Sequence, residues 1–210
     1  AATSIDATKM KEVVVTAKMD QEGVEFLPDV EGARIYAGKK TSVIDLQERP
    51  LIVNNNQRQV FQKTPGVLLS EESTPLFSLG YRGLNPDRAQ LMQVMKDGIP
   101  IVADLFGYPE AYYIPPAEVV EEVEFVRGGS ALQYGPQPGG AINFVTKDPV
   151  NNPFYLDEQN SAGSHDLYSN YTALSGAQGS LGHYSYFHHR QSQGFRDFNS
   201  QYNVYSGGSK

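Results

Sequence analysis

Few residues in this chain have the right type to do chemistry, and their spacing works against it. His183, His188 and His189 are three of the four histidines and share one candidate strand. Side chains alternate across a strand, so His188 and His189 point to opposite faces. His183 and His189 share a face but stand six residues apart, too far to grip one metal ion. Glu121-Glu122 sets two carboxylates side by side, yet neighbours on a helix or strand do not face each other. The pair reads as a solvated face. The glycine-rich stretch 128–140 lacks both the G-x-G-x-x-G spacing and the Gly-Lys-Ser/Thr ending of a phosphate loop. No Ser/His/Asp arrangement can be argued. The chain has no Cys, hence no disulfide, thiolate nucleophile or thiolate metal site. These residues predict a protein that is not an enzyme and has no cofactor and no metal site.

What remains is recognition chemistry. Arg82 and Arg127 each stand beside a glycine turn, in Gly80-Tyr81-Arg82-Gly83 and Arg127-Gly128-Gly129. A guanidinium in such a place forks onto a carboxylate or simply points to solvent. Residues 104–113 gather Phe106, Tyr108, Tyr112 and Tyr113, rings suited to lining a pocket or to packing against a wall. Val13-Val14-Val15-Thr16 is a β-branched island in a polar N-terminus. It suits an ordinary strand, or a tethered segment that pairs edge-on with a partner's sheet.

Short elements must position these groups. Ala33–Tyr36 and Thr41–Leu46 are strand candidates joined by Gly38-Lys39-Lys40, and residues 19–32 read as linker. Asn55 or Asn56 caps a helix running through Val60 and Phe61, which Pro65-Gly66 stops. Val67–Ser70 returns as a strand. Residues 90–96 alternate and end at Asp97-Gly98, a hairpin signal, followed by Ile99–Val102. Pro115-Pro116-Ala117-Glu118 opens a short helix. Val123–Val126 and Ala141–Val145 are strands. The mixture predicts a small α+β domain.

The chain changes character near residue 150. Residues 1–149 hold 34 of the 41 charged residues, whereas residues 150–210 hold 7 charges but 11 of the 23 Tyr and Phe. A charge-poor segment rich in aromatics, Gly, Ser and Asn has the composition of outer-membrane barrel strands, or of a soluble β-meander. Four strands are expected, at about 153–163, 166–176, 181–193 and 202–210, with turns at 163–164, 176–179 and 199–200. The net charge of -7 argues against a nucleic-acid partner. No stretch approaches the ~20 apolar residues of a spanning helix, so an integral membrane role would fall to strands. Ala1–Ser4 carry neither a basic n-region nor an apolar h-region, which predicts that any signal peptide is already gone.

Four motifs in order give the chain a family likeness. They are Lys63-Thr64-Pro65-Gly66-Val67, Gly80-Tyr81-Arg82-Gly83, Val94-Met95-Lys96-Asp97-Gly98-Ile99-Pro100, and the run from Val123-Glu124-Phe125-Val126-Arg127-Gly128-Gly129 through Gly139-Gly140-Ala141-Ile142-Asn143 to Thr146-Lys147. The chain resembles the TonB-dependent outer-membrane receptors, whose plug carries these motifs. Gly129 departs from the family's usual Pro, Tyr81 and Gln133 from its usual apolar residues.

The resemblance implies an α+β plug at residues 30–149 and the first strands of a 22-stranded barrel at 150–210. An N-terminal tail (residues 1–29) would carry the TonB box at 11–17. It implies a location in the bacterial outer membrane, with the tail in the periplasm, and outer-membrane lipid around the strands. Only ten residues precede Lys11, so no signalling domain is expected before the box. Sixty-one residues supply only about four strands at ~9–11 residues each, so a fragment is expected. Glu12, Val13, Val14, Val15, Thr16 and Ala17 would engage TonB. Phe77, Phe106, Tyr108, Tyr112 and Tyr113 would sit on apical loops (71–79 and 104–113) near the ligand. Arg82 and Arg127 would pair with barrel carboxylates. Residues 29–41 resemble the plug start of ferric citrate and related siderophore receptors, which implies an iron chelate as ligand, ahead of cobalamin or a glycan.

Overall fold

The computed structural model describes residues 24–25, 30–31, 34–35, 41–47, 52, 56–71, 77–86, 91–101, 113–127, 131, 133–135 and 137–210. The expected TonB box and the ring positions Phe106, Tyr108 and Tyr112 lie outside the described residues.

A six-stranded mixed sheet forms the first body. Its centre is β9 (Val120–Val126) and β10 (Ala141–Thr146), whose β-branched and aromatic residues suit an extended, buried backbone. They pair antiparallel with Ile142 opposite Phe125 and Phe144 opposite Val123, which puts all four side chains on one face. β4 (Thr41–Asp45) adds to β9 antiparallel and β7 (Gln93–Lys96) adds to β10 in parallel. The two-residue strands β1 (Val24–Glu25) and β8 (Ile99–Pro100) complete the edges, in the order β1-β4-β9-β10-β7-β8. Ile44, Val94, Val123, Phe125, Ile142 and Phe144 form one face of the core. Burying each of the larger ones is worth roughly 2 kcal/mol.

That face is covered by helix α1 (Gln57–Phe61), through Val60 and Phe61, and by the hairpin of β5 (Val67–Glu71) and β6 (Phe77–Tyr81). Asn56 is the helix N-cap, its side chain accepting from the Arg58 amide at 3.1 Å, as expected from the sequence. Gly66 stops the chain at φ +82 and turns it into β5. On the opposite face Val43, Met95, Val126 and Ala141 pack against Ala131 and Tyr134 from the glycine-rich loop.

A four-stranded antiparallel meander forms the second body: β11 (Tyr155–Gly163), β12 (Leu167–Gln178), β13 (Leu181–Ser192) and β14 (Tyr202–Ser209). Burial alternates along β12 and β13. Tyr171, Ala173, Tyr184, Tyr186 and His188 face the first body, while Tyr168, Leu174 and Phe187 face outward. Together the two bodies make an α+β domain followed by antiparallel strands.

Several expectations need correction. Residues 19–32 are not all linker, because Val24–Glu25 pairs with β4 and β2 (Val30–Glu31) pairs with β3 (Arg34–Ile35). Such ladders are made by backbone groups and leave little side-chain pattern to read. The strand expected over 90–96 begins only at Gln93, since the Leu91 carbonyl is taken by the Gly139 amide at 2.7 Å. The helix expected at 115–118 is a single 3-10 turn, Ala117–Val119, and β-branched Val119-Val120 turn the chain extended. Gly176 is strand, not turn; a Cβ there would meet the Pro153 carbonyl oxygen at 2.5 Å, so this glycine serves close approach. The turn itself falls at Gly179-Ser180. The expected apical loop at 71–79 is strand from Phe77 onward.

Candidate functional site

The distant motifs of the sequence meet in pairs. Gly66 and Arg82 flank the open end of the β5–β6 hairpin, where the Arg82 amide donates to the Gly66 carbonyl at 2.9 Å. A Cβ on Gly66 would lie 2.9 Å from the Tyr81 ring, so the two glycine motifs are one packing unit. Asp97 and Gly98 both take positive φ, 50° and 77°, the twist that a tight hairpin between β7 and β8 needs. Asp97 does more than turn. Its Oδ1 accepts from the Thr146 amide at 2.8 Å, tying the hairpin to the end of β10. Beside it, the Gly98 amide donates to Asn143 Oδ1 at 2.8 Å, and Asn143 Nδ2 donates to buried Glu124 at 2.7 Å. The last motif, Lys147, then leads directly to the second body.

The seam between the two bodies is built from aromatic rings and charges. Val119 packs into a cluster of Tyr171, Ala173, Tyr184 and Tyr186 from the inward face of β12 and β13. The hydroxyls of Tyr171 and Tyr184 lie 2.9 Å apart. Tyr113 meets Tyr186 hydroxyl to hydroxyl at 3.2 Å, and the Lys96 ammonium stands 5.6 Å and 5.8 Å from their ring centroids. Burial, and then the hydrogen bond to Tyr186, pushes the Tyr113 phenol well above its ordinary pKa. Lys147 reaches Asp157 on β11 at 3.4 Å and lies 5.4 Å from the Tyr171 ring centroid. Glu118 stands 4.0 Å from His188. A cleft of about 240 Å³ opens along the seam, lined by Leu46, Gln47, Ile52, Glu118, Lys147 and Gln159 among others.

The expected site residues fall in different places. Tyr113 is on the seam. Phe77 is 3 % exposed and packs against Phe61 with ring centroids 6.2 Å apart, so its ring belongs to the core. Arg82 is exposed, with its guanidinium 5.3 Å from the ring centroid of its neighbour Tyr81. Arg127 lies half-buried at the end of β9, where Nη2 donates to Ser42 Oγ on β4 while Nε is buried without a partner among the described residues. Neither arginine meets a barrel carboxylate among the described residues. Seam contacts are made instead by residues such as Tyr113, Glu118, Lys147, Asp157, Tyr171, Tyr186 and His188. Period-two alternation along β13, which sets Tyr184, Tyr186 and His188 on one face, was the signal available for the wall side. Glu118 carried no signal beyond its place after Pro115-Pro116.

A mixed sheet seated against one face of antiparallel strands is the arrangement of a plug against a barrel wall. Residues 36–142 match the family described as the TonB-dependent Receptor Plug Domain. The chain therefore belongs to the TonB-dependent receptors and is an outer-membrane protein. Among solved structures it is similar to the ferric citrate transporter FecA, at 26 % identity over 74 % of this chain and 25 % of that one, TM-score 0.55. It is similar to the siderophore receptor PirA from Acinetobacter baumannii, at 25 % identity over 72 % of this chain and 24 % of the other, TM-score 0.52. The copper transporter OprC shares the fold, at 18 % identity over 79 % and 26 %, TM-score 0.58. The chain thus spans about a quarter of the length of these relatives.

Proposed function

We propose that this chain is the plug and opening wall of an importer that carries a ferric chelate, ferric citrate or a siderophore, across the outer membrane with energy drawn from TonB. The observation that carries the reading is the 26 % identity with the ferric citrate transporter over 74 % of the chain. Residues 12–17 serve as the TonB box. Their β-branched side chains favour an extended backbone, and edge pairing spreads a pulling force over several hydrogen bonds. Phe106, Tyr108 and Tyr112 line the ligand side of the plug, and Tyr113 anchors that loop to the wall. Arg82 and Arg127 are the plug's cations for carboxylates on later barrel strands. A buried Arg–carboxylate pair is directional and costly to leave half-made, which suits a plug that must hold at rest.

The test uses the complete receptor in a host stripped of its own iron receptors. Uptake of radiolabelled ferric citrate, ferric siderophores, cobalamin and copper is measured with and without TonB. TonB-dependent accumulation of a ferric chelate supports the proposal. Accumulation of cobalamin or copper alone reassigns the ligand, and accumulation without TonB overturns the mechanism.

A further inference from the structure

The ion pairs that the sequence suggested are not the polar contacts that cross the seam. The most buried crossing is made by Glu118, on the 3-10 turn of the plug, and His188, on the inward face of β13. Their side chains are 9 % and 3 % exposed. Glu118 Oε2 lies 4.0 Å from His188 Nε2, and Glu118 Oε2, His188 Nδ1 and Arg190 Nε are buried without a hydrogen-bond partner among the described residues. Ser169 Oγ on β12 is 3.3 Å from His188 Nε2 and holds the imidazole in place. An unsatisfied carboxylate oxygen of the plug, buried 4.0 Å from an imidazole of the wall, is too costly to be incidental.

We propose that Glu118 is a proton-operated clasp between the plug and the barrel wall. With a proton on Glu118, the neutral carboxyl displaces the Ser169 hydroxyl and donates to His188 Nε2. A small rotation or one bridging water closes the 4.0 Å gap, and the seam buries no net charge there. When the proton leaves to solvent, a carboxylate stands in a pocket that disfavours it. The groups facing it decide whether it can stay. Lys147, from the end of β10, is already engaged with Asp157 of β11 at 3.4 Å. Arg190 of β13 has its guanidinium 5.5 Å from the Tyr202 ring centroid on β14. Tyr171 of β12 and His188 complete the surround. The ionised carboxylate is therefore better served by water entering from the adjoining cleft, which Glu118 and Lys147 both line.

The direction with pH follows. Burial raises the Glu118 carboxyl above its ordinary value, against the opposing pull of its own backbone amide and then of Arg190 and Lys147. A group whose pKa is raised in the closed state holds that state below its ordinary pKa. That hold is lost as pH climbs through the raised one. The clasp closes in acid and loosens as pH climbs through the raised value.

These 210 residues contain no Cys, so one thiol introduced here reports cleanly once any cysteine in the rest of the receptor is replaced. A nitroxide label on Gln47→Cys, at the rim of the cleft, is followed by electron paramagnetic resonance in the complete receptor in outer-membrane vesicles between pH 5 and pH 8. The mobile fraction is expected to rise several-fold across that range. In a Glu118→Gln background, where the amide stays neutral, it should stay at its acid level throughout. A label on Gln159→Cys, on the wall side, provides the same reading should the first reporter disturb the plug. Identical pH profiles with and without Glu118→Gln, at either label, overturn the proposal.

Discussion

Lys147 and Asp157 stand 3.4 Å apart across the point where the plug ends and the wall begins. Only ten residues separate them, yet one closes the plug's central strand region and the other faces inward from β11. The same lysine lies over the Tyr171 ring, so the ion pair also fixes the angle at which the chain enters the wall. Both side chains are about a quarter exposed, which limits what the pair contributes to stability. A double-mutant cycle with Lys147→Ala and Asp157→Ala, read by urea unfolding of the plug, is expected to give a coupling of about 1 kcal/mol or less. A much larger coupling would mean that the pair carries the seam by itself.

Two glycines of the β5–β6 region separate backbone strain from steric clash. Gly66 and Gly83 take nearly the same φ, 82° and 80°. A Cβ at Gly83 meets nothing within 4 Å, whereas one at Gly66 meets the Tyr81 ring at 2.9 Å. Gly83→Ala should therefore cost about 1 kcal/mol, the left-handed penalty alone. Gly66→Ala should cost clearly more in the same denaturation measurement. Equal costs would show that the Tyr81 ring moves aside freely.

Arg127 ties two strands together through Ser42 and keeps a buried Nε without a partner among the described residues. Replacing it with Ala removes the tie and, with it, the cation proposed to meet the wall. The Arg127→Ala receptor is expected to admit antibiotics that normally exceed outer-membrane permeability. The check is the minimum inhibitory concentration of a large glycopeptide in cells making equal amounts of either receptor. An unchanged value would count against a plug–wall role for this residue.

Removing residues 11–17 should separate binding from transport. The segment precedes the first described strand by several residues, and its proposed role is to take hold of TonB. Cells carrying the deletion should bind the ferric chelate with wild-type affinity and accumulate none. Normal uptake by those cells would dismiss the box.

The amino-acid order alone determined the elements whose signals are local. Asn56 caps a helix because its side chain reaches an amide two residues on. Asp97-Gly98 turns because both residues tolerate positive φ. The four wall strands could be placed within a few residues because aromatic-rich runs alternate between glycine and serine turns. The family motifs were equally legible, since glycines such as Gly66, Gly83 and Gly98 take the positive φ that their turns require. Tertiary structure decided everything that depends on which surfaces meet. Phe77 had the look of a loop ring and became core, because β6 pairs with β5 and turns it onto Phe61. Glu118 read only as part of a short helix start and became the most buried carboxylate of the seam among the described residues, because β13 closes over it. A contact between residues 70 apart leaves no periodic trace in either segment; it exists only once both have folded and been pressed together by the burial of rings such as Tyr171 and Tyr186.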